Sequence, residues 1–118
     1  TSGDGGFGYA ASELATAVQE GINVVTLVFN NGMLGASHSD QQHRFGGRVI
    51  GTRLHNPDFA RLAEVYGAMG IRLSGHGELS DALRSGLRAQ RPVVIEVPIP
   101  NLTPPFQISP HGLDRVPG

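Results

Sequence analysis

The sequence contains no cysteine and no lysine, and no apolar run in it approaches the length of a membrane-spanning helix. Without cysteine, disulfides and thiolate metal sites are excluded, and without lysine no Schiff base can form with a carbonyl substrate. A membrane span needs roughly 18 apolar residues, and the net charge of −1 gives no electrostatic attraction for nucleic acid. We therefore expect a cytoplasmic protein without a membrane or nucleic-acid partner.

The composition is that of a folded domain. Of 118 residues, 39% are hydrophobic and 16% are charged, which is enough apolar material for one modest core. Proline becomes frequent after residue 100, so we predict one domain over 1–100 and an extended tail over 101–118. The chain starts at Thr1, without methionine, and runs directly into a glycine-rich turn over 1–8. We therefore expect an N-terminally truncated domain.

Apolar periodicity predicts alternating helices and strands. Helical spacing predicts helices over 9–19, 56–67 and 78–89, and β-branched apolar runs predict strands over 23–29, 69–73 and 93–97. The segment 33–47 fits a short helix followed by a polar loop. This alternation is typical of the α/β class, so we predict a mostly parallel sheet with helices on both faces.

Two of these helices carry more specific signals. Asn56 is a favourable N-cap, and Pro57 is a favourable first helical residue. In the last helix the spacing of Leu79, Leu83 and Leu87 predicts that all three face the core.

Two polar, glycine-containing turns flank the first predicted helix and strand. The sequence GDGG occupies 3–6, before the helix, and NNG occupies 30–32, after the strand. Ligands of open α/β sheets bind beyond the carboxyl ends of the strands. We therefore expect the two turns to lie side by side at that edge and to share one ligand.

The residue types in these turns suit a magnesium ion. Mg²⁺ takes about six oxygen ligands, usually a few from the protein and the rest from phosphates and water. Asp4 offers a carboxylate oxygen, Asn31 an amide oxygen and Met33 a backbone carbonyl. Adjacent glycines allow backbone N–H groups to approach phosphate groups.

The pattern of GDG followed by NN resembles the diphosphate-binding domain of thiamine diphosphate enzymes. Here 24 residues, 6–29, separate the two motifs. The flanking segments ELATAVQEGINV, LHNPDFARLAEVYGAMGIRL and RPVVIEVPIP are similar too. The resemblance covers roughly residues 3–100, and it is greatest to the acetolactate synthase and benzoylformate decarboxylase group.

The resemblance implies a cofactor and a set of contacts. Mg²⁺ is bound by Asp4, Asn31 and the Met33 carbonyl, and thiamine diphosphate is the cofactor. The remaining cofactor contacts are backbone groups that line the diphosphate, at Gly3, Gly5, Gly6, Leu34 and Gly35. The implied activity is decarboxylation of a 2-oxo acid, or carboligation after it, in a homodimer or homotetramer.

Two departures from the family pattern limit this implication. Acetolactate synthases typically have methionine and tryptophan at the substrate-pocket positions that Ala36 and Asp40 occupy. The family's essential glutamate also lies in a different domain, so no residue here matches it. We expect the isolated chain to be inactive.

Other functions remain open. A thiamine-dependent oxidase or acyltransferase of the same family would share every residue discussed, and a non-catalytic fragment is a further alternative. A nucleotide-binding Rossmann-like domain is disfavoured because the G-x-G-x-x-G spacing of GDGGFG, at 3–8, follows no predicted strand.

The 36–55 segment contains further candidate residues. His38 is a candidate for assisting proton transfer, because the ordinary pKa of histidine suits that role. The spacing of His38, Asp40 and His43 matches no common zinc motif. Arg44, Arg48 and Arg53 resemble a phosphate clamp, but scattered loop arginines more often lie at a surface or interface.

Overall fold

The computed structural model describes residues 1–102, 106–109 and 112–115. Within them the strands are β1 (Ser2–Gly3), β2 (Val25–Asn30), β3 (Met69–Arg72), β4 (Val93–Pro98), β5 (Phe106–Ser109) and β6 (Gly112–Arg115). The α-helices are α1 (Asp4–Ala10), α2 (Glu13–Gln19), α3 (Gly35–Arg44), α4 (Phe59–Val65) and α5 (Leu79–Arg88), and a 3₁₀ turn spans His76–Glu78.

Four strands form one parallel sheet in the order β1-β2-β4-β3. The register pairs Val28 of β2 with Glu96 of β4, and Ile71 of β3 with Ile95 of β4. Parallel neighbours need crossover connections, and the helices between the strands supply them. The predicted α/β class and mostly parallel sheet are confirmed.

One face of the sheet packs against α1, α2 and α4. Val28 and Val94 are fully buried there beneath Phe7 of α1 and Phe59 of α4. The rings of the two phenylalanines meet edge to face, with centroids 5.3 Å apart. Edge-to-face pairs stabilise a core beyond simple burial, by about 0.5–1.5 kcal/mol.

The opposite face packs against α5. Successive β4 side chains alternate between faces, so Val93, Ile95 and Val97 point here, where they pack with Leu73 and Ala82. Helices therefore cover both faces, as the sequence predicts.

The first helix differs from its prediction. It begins at Asp4, inside the predicted turn, and a break at Ala11 and Ser12 divides the predicted 9–19 helix in two. At the break, Leu14 N and Ala15 N donate to carbonyls three residues back. Hydrogen bonding is locally of the 3₁₀ type, while Ala11 and Ser12 keep right-handed helical backbone angles.

The predicted start of α4 is wrong. The N-cap is Asp58, whose carboxylate accepts a hydrogen bond from Arg61 N at 3.0 Å, and Pro57 precedes the helix. Asn56 does not cap because its amide is bonded elsewhere, to Asp4 and Asn30.

The predicted burial of Leu87 is also wrong, since 75% of this residue is exposed. Ala82 and Gly86 face the sheet instead. A Cβ at Gly86 would lie 3.3–3.4 Å from methyl groups of Val25 and Val93, so the helix approaches the sheet through this residue.

In the tail, β5 and β6 pair as an antiparallel two-stranded sheet. The prediction of an extended tail did not include this pairing. Pro104 and Pro105 lie outside the described residues. Among the described helices, none is long and apolar enough to cross a membrane.

Candidate functional site

The two polar turns meet at the carboxyl edge of the sheet. Gly3 of β1 pairs with Phe29 of β2 in parallel register, so Asp4 and the 30–32 turn leave adjacent strands at the same level. Gly32 N donates a hydrogen bond to Asp4 Oδ2 at 2.9 Å. The predicted juxtaposition is present, and the turns are directly bonded.

A cavity of about 340 Å³ lies between the turns. Its lining includes every residue that the resemblance assigns to the cofactor, together with four others: Gly3, Asp4, Gly5, Gly6, Asn31, Met33, Leu34 and Gly35, with Phe29, Ala36, Ser37 and Ile99. A larger cavity of about 720 Å³ lies at the opposite sheet edge and is lined by none of the predicted residues. The donor chemistry assigns the site to the smaller cavity.

Asp4 is a buried carboxylate, only 3% exposed. Its Oδ2 accepts two hydrogen bonds, from Gly32 N at 2.9 Å and from Asn56 Nδ2 at 2.6 Å. No donor within the described residues is bonded to Oδ1. One oxygen is thus held by the protein, and the second has no hydrogen-bond partner among the described residues.

Asn31 is held in a tight turn above β2. Its Oδ1 accepts from Met33 N at 3.3 Å, and the intervening Gly32 has φ = +70°, which favours glycine. A Cβ at Gly35 would lie 3.3 Å from Asn31 Nδ2, so a larger residue there would crowd the amide.

Backbone pairing fixes the position of this turn. Leu34 N donates to Thr52 O, Leu54 N donates to Gly32 O, both at 2.8 Å, and Met33 forms an antiparallel bridge with Arg53. The backbone of Met33 is therefore held beside Asp4 and Asn31.

This donor set fits Mg²⁺ and the diphosphate it would bridge. A carboxylate, an amide and a carbonyl are hard oxygen ligands, and three protein ligands leave room for phosphate oxygens and water. Within residues 1–102, 106–109 and 112–115, no group of three His, Cys, Asp or Glu side chains is placed to bind a metal. The arrangement is unlike a zinc site.

A chain of hydrogen bonds that the sequence did not reveal lies behind Asp4. Asn56 Nδ2 donates both to Asp4 and to Asn30 Oδ1, the latter at 2.9 Å. Asn30 Oδ1 also accepts from Gly32 N at 3.0 Å, while Asn30 Nδ2 donates to Glu96 Oε1 at 2.8 Å. Two amides therefore connect two carboxylates.

Glu96 anchors the far end of that chain. It is fully buried on β4, and its Oε2 accepts from Phe59 N at 3.0 Å. Arg72 Nη1 lies 3.9 Å from Oε1 and 3.4 Å from Asp58 Oδ2. The sequence does contain one signal for this role, an acidic residue inside the apolar strand VVIEV. A carboxylate is rarely buried without hydrogen-bond or ionic partners.

His38 lies beside the metal-ligand candidates. It lines a neighbouring cavity of about 290 Å³ together with Asn31, Met33 and Gly35. Its Nδ1 is 2.9 Å from Oγ1 of the buried Thr52, which fixes the orientation of the ring.

The three arginines of the 36–55 segment do not form a clamp. Arg44, Arg48 and Arg53 are all exposed, and Arg44 pairs with Asp40 of its own helix at 3.3 Å. Exposed pairs of this kind contribute little to stability.

Known proteins share both the sequence and the fold. An acetolactate synthase of Bacillus subtilis is 37% identical over 98 residues, which are 83% of this chain and 17% of that protein. The mitochondrial acetolactate synthase catalytic subunit of Saccharomyces cerevisiae is 34% identical over 115 residues, 96% of this chain and 17% of that protein. The chain thus spans less than a fifth of these relatives.

Structural comparison gives the same result. The structure of benzoylformate decarboxylase from Polynucleobacter necessarius superposes with a TM-score of 0.78 at 29% identity, covering 85% of this chain and 19% of that one. The family model for thiamine pyrophosphate enzymes, C-terminal TPP binding domain, matches residues 1–97. The predicted resemblance is confirmed: the chain belongs to the thiamine pyrophosphate (thiamine diphosphate) enzymes, as their C-terminal cofactor-binding domain.

Proposed function

We propose that this chain holds the diphosphate of thiamine diphosphate through Mg²⁺, as one part of a larger enzyme that acts on a 2-oxo acid. The observation that carries the proposal is the bond from Gly32 N to Asp4 Oδ2, which joins the two motif turns around one cavity. The names of the relatives, acetolactate synthase and benzoylformate decarboxylase, support a decarboxylase or carboligase.

Each part of the cavity has a role in this proposal. Asp4, Asn31 and the Met33 carbonyl bind the cation, and the backbone at 3–6 and 34–35 lines the diphosphate. Thiamine diphosphate, when bound, supplies the electron sink for loss of CO₂. The chain's own contribution is to bind and orient the cofactor.

The choice of substrate rests with the residues beyond Gly35. Ala36 lines the cofactor cavity, in place of the methionine typical of acetolactate synthases. This smaller side chain favours a 2-oxo acid or acceptor different from that of acetolactate synthase. An oxidase or acyltransferase of the same family remains the alternative.

Magnesium-dependent binding tests the proposal. Thiamine diphosphate is titrated into the full-length protein with and without Mg²⁺, and then into Asp4→Ala and Asn31→Ala. We expect binding to require the metal. In both variants it should weaken at least about 100-fold, because each loses one metal ligand; this corresponds to about 2.7 kcal/mol.

Asp81→Ala is the matched control, because Asp81 is an exposed carboxylate on α5 remote from the site. Its affinity should equal that of the wild type. Metal-independent binding, or unchanged affinity in both site variants, would refute the proposal. We expect the isolated chain to bind the cofactor weakly, because the family's other cofactor contacts lie in another domain.

We further propose that His38 assists proton transfer. The Thr52 bond at Nδ1 orients the ring within the cavity that borders Asn31, which leaves Nε2 as the nitrogen for a proton. In the full-length enzyme, turnover of His38→Ala should fall more than tenfold, whereas His76→Ala, at an exposed histidine of the 3₁₀ turn that lies outside this cavity, should remain near wild type. A smaller loss in His38→Ala would remove this role.

A further inference from the structure

We propose that Asn56, Asn30 and Glu96 are positioning residues that hold the Asp4 carboxylate in a metal-ready orientation. The inference rests on the proposed function and adds residues to it that do not touch the cation. Its basis is the continuous hydrogen-bond chain from Asp4 through the two amides to Glu96.

The direction of this chain is fixed by its ends. An ionised carboxylate only accepts hydrogen bonds, whereas an amide has a donor side and an acceptor side. With Asp4 and Glu96 as acceptors, Asn56 must present its NH₂ to Asp4, and Asn30 must present its NH₂ to Glu96. The remaining bond, from Asn56 Nδ2 to Asn30 Oδ1, then has the correct polarity.

The buried end of the chain makes it rigid. Glu96 is fully buried, and both of its oxygens accept hydrogen bonds, one from Asn30 and one from Phe59 N at the start of α4. Moving Glu96 would leave donors unpaired in the core, which is costly. Asn30 is thereby fixed, and through it Asn56.

The functional consequence appears at Asp4. Asn56 and Gly32 both bond Oδ2, so the carboxylate cannot rotate freely about its last bond. Oδ1 is consequently the oxygen presented to the cavity. A ligand that is oriented before the metal arrives loses less conformational freedom on binding, and hence binds more tightly.

The test compares Asn56→Ala with Asp58→Ala in the full-length protein. The two residues flank Pro57 in the same segment, but Asp58 caps α4 and does not contact Asp4. Mg²⁺ affinity is measured at saturating thiamine diphosphate, and the melting temperature is measured without metal or cofactor.

We expect Asn56→Ala to weaken Mg²⁺ binding at least tenfold. Asp58→Ala should lower the melting temperature at least as much as Asn56→Ala does. Its Mg²⁺ affinity should nevertheless stay within about twofold of the wild type. Parallel losses of affinity and stability in both variants, or full affinity in Asn56→Ala, would overturn the proposal.

Glu96→Gln provides a second measurement at the far end of the chain. Its one oxygen can replace only one of the two carboxylate oxygens, so its NH₂ group would face a donor, either Asn30 Nδ2 or Phe59 N, while its shape is nearly unchanged. We expect a threefold to tenfold loss of Mg²⁺ affinity, and wild-type affinity in the folded variant would remove Glu96 from the role. If the wild type itself binds thiamine diphosphate without Mg²⁺, the proposed function has failed rather than the positioning chain.

Discussion

The two faces of strand β4 have opposite characters. Toward α5 it presents Val93, Ile95 and Val97, which are buried among apolar side chains. Toward α4 it presents Val94 and then Glu96, the buried carboxylate that begins the hydrogen-bond chain to Asp4. One strand therefore contributes hydrophobic stability on one side and the placement of the cofactor site on the other.

This difference shows how the two kinds of burial constrain the sequence. An apolar face is stabilised in proportion to the area removed from water, so several residue combinations serve it equally well. A buried polar chain requires each donor and acceptor to have its partner. We therefore expect changes on the α5 face to reduce stability alone, and a change of Glu96, which belongs to the polar chain on the α4 face, to alter cofactor binding as well.

The largest expected effect is that of Ile95→Ala, on the apolar face. Ile95 is fully buried, and such truncations cost about 2–5 kcal/mol through lost burial and the cavity left behind. Denaturant unfolding of the full-length protein measures this loss. The Mg²⁺-dependent affinity for thiamine diphosphate of the folded fraction should change less than threefold.

Leu87→Ala is the matched control on the same side of the sheet. Because 75% of Leu87 is exposed, its removal should change the unfolding free energy by less than about 0.5 kcal/mol. A tenfold loss of affinity in folded Ile95→Ala would contradict the separation between the faces.

Sequence periodicity predicted the apolar part of the molecule well. β-branched strands and helical stripes report burial directly, so the parallel sheet and the helices on both of its faces followed from the pattern. Leu87 shows the limit of this reasoning. Spacing alone did not reveal that Gly86 brings α5 close to the sheet and turns the stripe toward Ala82.

The polar part could be predicted only where residue types identify a ligand. Asp4 and Asn31 could be named as candidates because their turns were expected at one sheet edge and carry the oxygen donors that Mg²⁺ prefers, and their binding of the metal stays a prediction. Asn56 and Glu96 were not, because their partners lie 52 and 66 residues away along the chain, at Asp4 and Asn30 respectively. Asn56 was instead interpreted as a helix cap, since local sequence favours that role equally.

The smallest expected effect is a pH dependence of the stability that Asp58 contributes on the α4 side of the sheet. The N–H of Arg61, and then the charges of Arg72 and Arg61, hold the pKa of Asp58 below its ordinary value of 3.8, although some burial opposes them. A lowered folded-state pKa means that the stabilisation is complete above this ordinary value, which the unfolded chain has, and is lost as the pH falls through the folded value. Lowering the pH should therefore reduce the stabilisation of α4 by the Asp58 carboxylate.

Urea unfolding of the wild type and Asp58→Ala at pH 7 and pH 3 measures this effect. At pH 7 the variant should lose about 1 kcal/mol, the usual contribution of an N-cap. At pH 3 the difference should shrink, because protonation removes part of the same stabilisation from the wild type. Helix α5 has no side-chain hydrogen bond from its N-cap, so Asp81→Ala, at an exposed carboxylate in its first turn, should show little loss at either pH. An Asp58→Ala difference that stays constant from pH 7 to pH 3 would mean that the cap acts through its shape and neutral hydrogen bonding, and that ionisation does not distinguish the two faces.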